Sequence, residues 1–180
     1  MDMEFTLLYM LQKLHTPFLD ELMTGITFLG ESGWFWILLA VLLLCGKRTR
    51  KIGLAMGLSM AIGLVIGHVF LKPMVARQRP CWLDPAVTLL VQSPRDFSFP
   101  SGHTLASFES AVSIFLYNRR WGLWALLLAA LIAFSRLYLF VHFPTDVLFG
   151  ALLGTAIAAA VHRILEKGPR FKRQRGDVND

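Results

Sequence analysis

Residues 121–138 read WGLWALLLAALIAFSRLY, eighteen positions with a single charge, Arg136, near their end. A bilayer core asks for about 20 mostly apolar residues per helix, and this run meets that requirement. Working outward, the same pattern recurs at about 28–45, 52–71, 101–117 and 144–163. The composition agrees, with 55% hydrophobic and only 17% charged residues. The fold class expected is therefore all-α: a polytopic membrane helix bundle of about five spans. At 180 residues the chain is read as a single membrane-embedded domain, 1–180, with its transmembrane bundle at 28–163.

Residues 1–27 are read as an interfacial N-terminal segment. Leu7, Leu11, Leu14 and Phe18 recur at helical spacing, but Lys13, His15, Pro17, Asp20 and Glu21 interrupt the run. A helix lying in the membrane interface fits that pattern better than a sixth span. The start, Met1-Asp2-Met3-Glu4, lacks the basic region of a cleaved signal peptide. One long connection, roughly 73–99, is rich in Pro, Arg, Asp and Ser.

The net charge of +6 does not indicate a nucleic-acid partner, because the basic residues sit in short blocks between apolar spans. Twelve of them share one side: Lys47, Arg48, Arg50, Lys51, Arg119, Arg120, Arg163, Lys167, Arg170, Lys172, Arg173 and Arg175. The other six, Lys13, Lys72, Arg77, Arg79, Arg95 and Arg136, fall opposite. The positive-inside rule makes the twelve cytoplasmic, together with a basic tail over 164–180, and turns the long loop outward. Cys45 and Cys81 then lie on opposite sides, so no disulfide is expected between them.

Three polar clusters interrupt the apolar pattern: Lys72 with Arg79-Pro80, Pro100-Ser101-Gly102-His103, and Ser135-Arg136 with His142 and Asp146. The topology drawn from charge and span length puts all three at the outer face. Lys72, Arg79 and Arg136 suit a phosphoryl group, whose oxygens match guanidinium forks in bidentate pairs. Ser101 reads as a helix N-cap with Gly102 behind it, and free amides at a helix start form an anion site. His142 and Asp146 are four apart, with Pro144 suited to a first helical turn, so the carboxylate can support the imidazole as a nucleophile requires. His103 is left to protonate the leaving oxygen. No Asp/Glu cluster or Cys/His spacing asks for a metal, and no cofactor is called for.

These residues resemble the signature of the type 2 phosphatidic acid phosphatase superfamily. That pattern is Lys, six residues, Arg-Pro; then Pro-Ser-Gly-His; then Ser-Arg, five residues, His, three residues, Asp. It is met without departure over residues 72–146. The resemblance implies metal-independent hydrolysis of a membrane lipid phosphate or diphosphate through a phosphohistidine. His142 is then the nucleophile, Asp146 its partner and His103 the acid, while Lys72, Arg79, Ser101, Gly102 and Arg136 hold the phosphate. Undecaprenyl diphosphate is the substrate favoured, because the site faces outward, where that carrier is released in wall synthesis. Phosphatidylglycerophosphate and phosphatidic acid are the alternatives. Localisation in the plasma (inner) membrane follows, with an extracytoplasmic site and a cytoplasmic C-terminus.

A lipid-phosphate transporter or flippase is the competing class. Such a protein should carry polar residues across the bilayer and often repeated halves. Here the polar residues gather at one face, and five spans do not divide in two. Outside the signature, Glu109 is expected to make a structural hydrogen bond to a neighbouring span, with His68 as candidate partner. Trp34, Trp36, Trp82 and Trp121 are expected at the interfaces. Arg77, Arg95 and Asp96 are assigned to the outer loop, to touch a head group or to be solvated.

Overall fold

The computed structural model describes residues 3–167. The basic tail beyond them, including Arg170, Lys172, Arg173 and Arg175, lies outside the described residues. Among those described, regular structure is entirely helical: α1 Met3–Gln12, α2 Pro17–Leu29, α3 Trp34–Cys45, α4 Arg50–Gly63, α5 Lys72–Val75, α6 Pro80–Leu83, α7 Gly102–Tyr117, α8 Arg119–Tyr138 and α9 Pro144–Lys167. A π-helical stretch, Leu64–Leu71, joins α4 to α5. Three helical rods are long and apolar enough to cross a membrane: Arg50–Leu83, Arg119–Tyr138 and Pro144–Lys167. A fourth arises if α2 and the segment Glu31–Cys45, bent by 43°, are taken together.

This differs from five uniform spans in two places. The span expected at 28–45 is broken at its start, where Ser32 and Gly33 both take positive φ (51° and 68°). A left-handed pair cannot continue a right-handed helix, so the chain turns there. The segment expected to span at 101–117 is a helix, α7, but its sixteen residues reach only about 24 Å at 1.5 Å per residue, and it is not among the rods long and apolar enough to cross. It is the central helix, packed against α8, α9 and α4. Gly150 and Gly154 let α9 close on it: a Cβ on Gly154 would stand 2.7 Å from the Leu105 carbonyl oxygen. This small-xxx-small contact is a common means of close helix association in lipid.

The apolar residues divide as a bilayer solvent requires. Trp36, Ala40, Ile52, Met56, Ile114 and Ile132 form one buried cluster between α3, α4, α7 and α8. Leu42, Phe70, Leu123 and Leu152, each 60–62% exposed, stand outward from the bundle. Trp34 and Trp121 are exposed, at 38% and 51%, but Trp36, expected at an interface with them, is buried inside the bundle. It is 1% exposed and donates its Nε1–H to Ser107 Oγ at 3.0 Å. A buried indole needs an acceptor, and α7 supplies it.

The N-terminal segment forms two helices, α1 and α2, and α1 packs across the loops at one end of the bundle. Leu8 is fully buried in a cluster with Tyr138, Phe140, Val141 and Phe143. Gln12 Nε2 donates to the Tyr138 carbonyl at 2.9 Å, and Tyr9 Oη donates to Asp84 at 2.6 Å. Glu4 accepts from Arg77 and from the Thr145 hydroxyl. Residues 139–143, which carry His142, are thereby covered.

Candidate active site

The three polar clusters do meet. A cavity of about 1000 Å³ is lined by Lys72, Arg79, Gly102, His103, Arg136 and His142 among others. Each arrives on a different support. Lys72 follows the π-helical stretch, a departure often found where a helix must place a functional side chain. Arg79 precedes α6, Arg136 ends α8, and His142 sits on the turn into α9. The expected N-cap is present: Ser101 Oγ accepts from the Thr104 amide at 3.4 Å, and Leu105 N–H bonds back to the Ser101 carbonyl. Gly102 and His103 occupy the first two helical positions, where an amide has no intrahelical acceptor.

Arg79 is the hub. Its Nη1 donates to the Val141 carbonyl at 2.7 Å and lies 3.0 Å from His142 Nε2. Guanidinium has only donors, so Nε2 must be the bare nitrogen and the ring proton must sit on Nδ1. Burial, then the charges of Arg79, Arg136 and Lys72, hold the His142 pKa well below its ordinary value. The ring is neutral, with a lone pair on Nε2 aimed among the cations.

Asp146 supports that ring differently from the simple helical pair expected. His142 precedes α9, and its Nδ1 is 3.6 Å from Asp146 Oδ2, beyond hydrogen-bond reach. Ser98, fully buried, lies between: its Oγ is 3.4 Å from His142 Nδ1 and donates to Asp146 Oδ2 at 2.5 Å. Asp146 also accepts from the Phe143 amide at 2.9 Å, closing half of a capping box at the start of α9. Its other oxygen accepts from Arg77 Nη1 at 2.7 Å.

Arg77 and Asp96, left as loop residues by the sequence, are therefore built into the site. Arg77 joins Asp146 to Glu4, its guanidinium 4.0 Å from the Phe143 ring centroid. The Asp96 carboxylate bridges Lys72 and Arg79. Glu31, at the break before α3, faces His103 Nε2 at 3.5 Å. Arg136, 4% exposed, donates to Thr27 Oγ1 at 2.6 Å, and its Nε finds no partner among the described residues. Glu109 does not bond His68. Its Oε1 has no partner among the described residues and packs on Gly63, where a Cβ would fall 1.8 Å away.

Residues 49–170 match the model of the PAP2 superfamily. The chain is 40% identical over 146 residues to an undecaprenyl-diphosphatase from Sulfolobus acidocaldarius, covering 79% of this chain and 70% of that protein. It is 35% identical over 172 residues to phosphatidylglycerophosphatase B of Bacillus subtilis, covering 88% and 81%. The crystal structure of a transmembrane PAP2-type phosphatidylglycerolphosphate phosphatase from Bacillus subtilis superposes with a TM-score of 0.77 at 30% identity, over 93% of this chain and 86% of that one. The family match spans more than half of the sequence and includes every residue of the cationic cradle, so the chain belongs to the PAP2 superfamily and is a membrane lipid phosphatase.

Proposed function

We propose that this phosphatase removes the terminal phosphate of a lipid phosphate or diphosphate without a metal, through a phosphohistidine on His142, at the extracytoplasmic face. The observation that carries this reading is the bare Nε2 of a neutral, buried imidazole held among Lys72, Arg79 and Arg136. In the first step Nε2 attacks phosphorus, the bond to the lipid oxygen breaks, and His103 gives that oxygen its proton. Positive charge on the His142 ring is stabilised from the Nδ1 side by Asp146, with Ser98 between. In the second step His103 takes a proton from water, which displaces His142 and releases inorganic phosphate. The three cations and the amides of Gly102 and His103 bear the charge of the transferring group.

The cavity supports a lipid as the leaving group. From the cradle it continues past His68 and past Gly63, where Glu109 stands, then between α3 and α4 by Gly57 to Gly53 and Leu44, a course otherwise of apolar and small residues. Gly53 to Gly63 alone is ten residues of α-helix, or about 15 Å, half the thickness of a bilayer core. Undecaprenyl diphosphate, cleaved to the monophosphate, is the preferred substrate, since the 40%-identical relative is an undecaprenyl-diphosphatase. Phosphatidylglycerophosphate is the second reading, on the likeness to the Bacillus subtilis structure.

The test is turnover in detergent against a panel of lipid phosphates and diphosphates, with and without EDTA. Phosphate release that is highest for the polyprenyl diphosphate and indifferent to chelator is expected. Inhibition by EDTA that is restored by added divalent cation contradicts the metal-free mechanism.

A further inference from the structure

Two of the three cations in the cradle already hold an anion. Lys72 and Arg79 are 5% and 2% exposed, yet the Asp96 side chain they share is 42% exposed in the wall of the cavity. One Asp96 oxygen accepts from Lys72 Nζ, and the other accepts from Arg79 Nη2 at 2.8 Å. A single carboxylate thereby takes donors that two oxygens of a phosphate would use. Burial works to raise the Asp96 pKa, but the bonds and charges of Lys72 and Arg79 outweigh it and hold the group ionised.

The carboxylate is not what positions the two cations. Arg79 keeps two main-chain acceptors, the Asp96 carbonyl from Nε at 2.7 Å and the Val141 carbonyl from Nη1 at 2.7 Å. Lys72 Nζ donates to the Phe97 carbonyl at 2.8 Å. If the Asp96 side chain swings away, both cations stay anchored and only their free donors change partner. Arg136 takes no part in this pairing, and its Nε is unpartnered among the described residues.

We propose that the Asp96 carboxylate is a displaceable occupant of the phosphate cradle, an internal competitor that every anion must displace before Lys72 and Arg79 can hold it. The proposal rests on the phosphatase reading and adds to it a residue that sets how tightly the cradle binds. Displacement costs each anion the same, so it weakens all of them by one factor. A phosphodiester, with one negative charge to offer, is left with little net affinity. A dianion brings a further charge for Arg136 and the start of α7, and still binds.

Inorganic phosphate and dimethyl phosphate, titrated calorimetrically into the purified full chain in detergent, test this in wild type, Asp96→Asn and Asp96→Ala. Both variants are expected to bind phosphate about tenfold more tightly than wild type. Dimethyl phosphate, which binds more weakly throughout, should gain by the same factor, because both anions displace the same carboxylate. Phosphate binding that is unchanged or weaker in the variants overturns the proposal, as does loss of the folded protein in both. Because the readout is binding, a wild-type chain that binds phosphate but cleaves no lipid phosphate would sink the phosphatase reading and leave the exchange standing.

Discussion

Replacing His142 with alanine is expected to lower kcat for lipid phosphate by about 10⁴-fold or more, while inorganic phosphate still binds. The nucleophilic atom is lost outright, and no other imidazole can replace it, since His103 stands at the start of α7 facing Glu31. The cradle remains: Lys72, Arg79 and Arg136 each keep acceptors that do not involve His142. Paired turnover and phosphate titration check the prediction. A His142→Ala chain that retains a tenth of wild-type turnover removes this residue from the chemistry.

The second large effect is expected from Arg79→Lys, which keeps the charge and loses the fork. Arg79 spends its donors on the Asp96 carbonyl and carboxylate, the Val141 carbonyl and His142 Nε2. An ammonium has three donors and no plane, so it cannot hold the turn at 141–142, define the bare nitrogen and meet phosphate together. A fall in kcat/KM of about 10²-fold or more is expected, most of it in kcat, since the misplaced group is the nucleophile. Steady-state kinetics decide it: a variant changed only in KM would make Arg79 a simple counter-charge.

How much of this could be read in the sequence depended on how far apart the interacting residues lie. Ser101 was legible as a cap because it acts on Thr104, three residues away. The cations Lys72, Arg79 and Arg136, and the imidazole of His142, are legible because they stand in a spaced pattern that suits phosphate. The connections between them are not. Arg77 meets Asp146 across 69 residues, Glu4 meets Thr145 across 141, and Ser98 slips between His142 and Asp146 from a loop 44 residues upstream of the ring. Nothing in local spacing encodes those pairs, so Arg77 and Asp96 read only as loop charges that touch a head group or are solvated, and Ser98 carries no local signal at all.

The helices show the same division. Apolar runs marked where α8 and α9 lie, and the cores of α3, α4 and α7, because lipid demands such runs. They could not show that the run from residue 28 breaks at Gly30–Gly33. The Gly-Glu-Ser-Gly string there was the available signal, a cluster of turn formers inside an apolar span. Trp36 is hidden from the sequence for a related reason: an indole two residues from an exposed one reads as interfacial, and only the turn of the helix brings it onto Ser107.

The covalent step is tested most directly by rapid quench of the full-length enzyme with a lipid substrate labelled in its terminal phosphate. Peptide mapping under alkaline conditions, where phosphohistidine survives, should place the label on His142 during turnover and nowhere in the His142→Ala chain. Label on His103 instead, or a burst of lipid product with no labelled peptide, contradicts it.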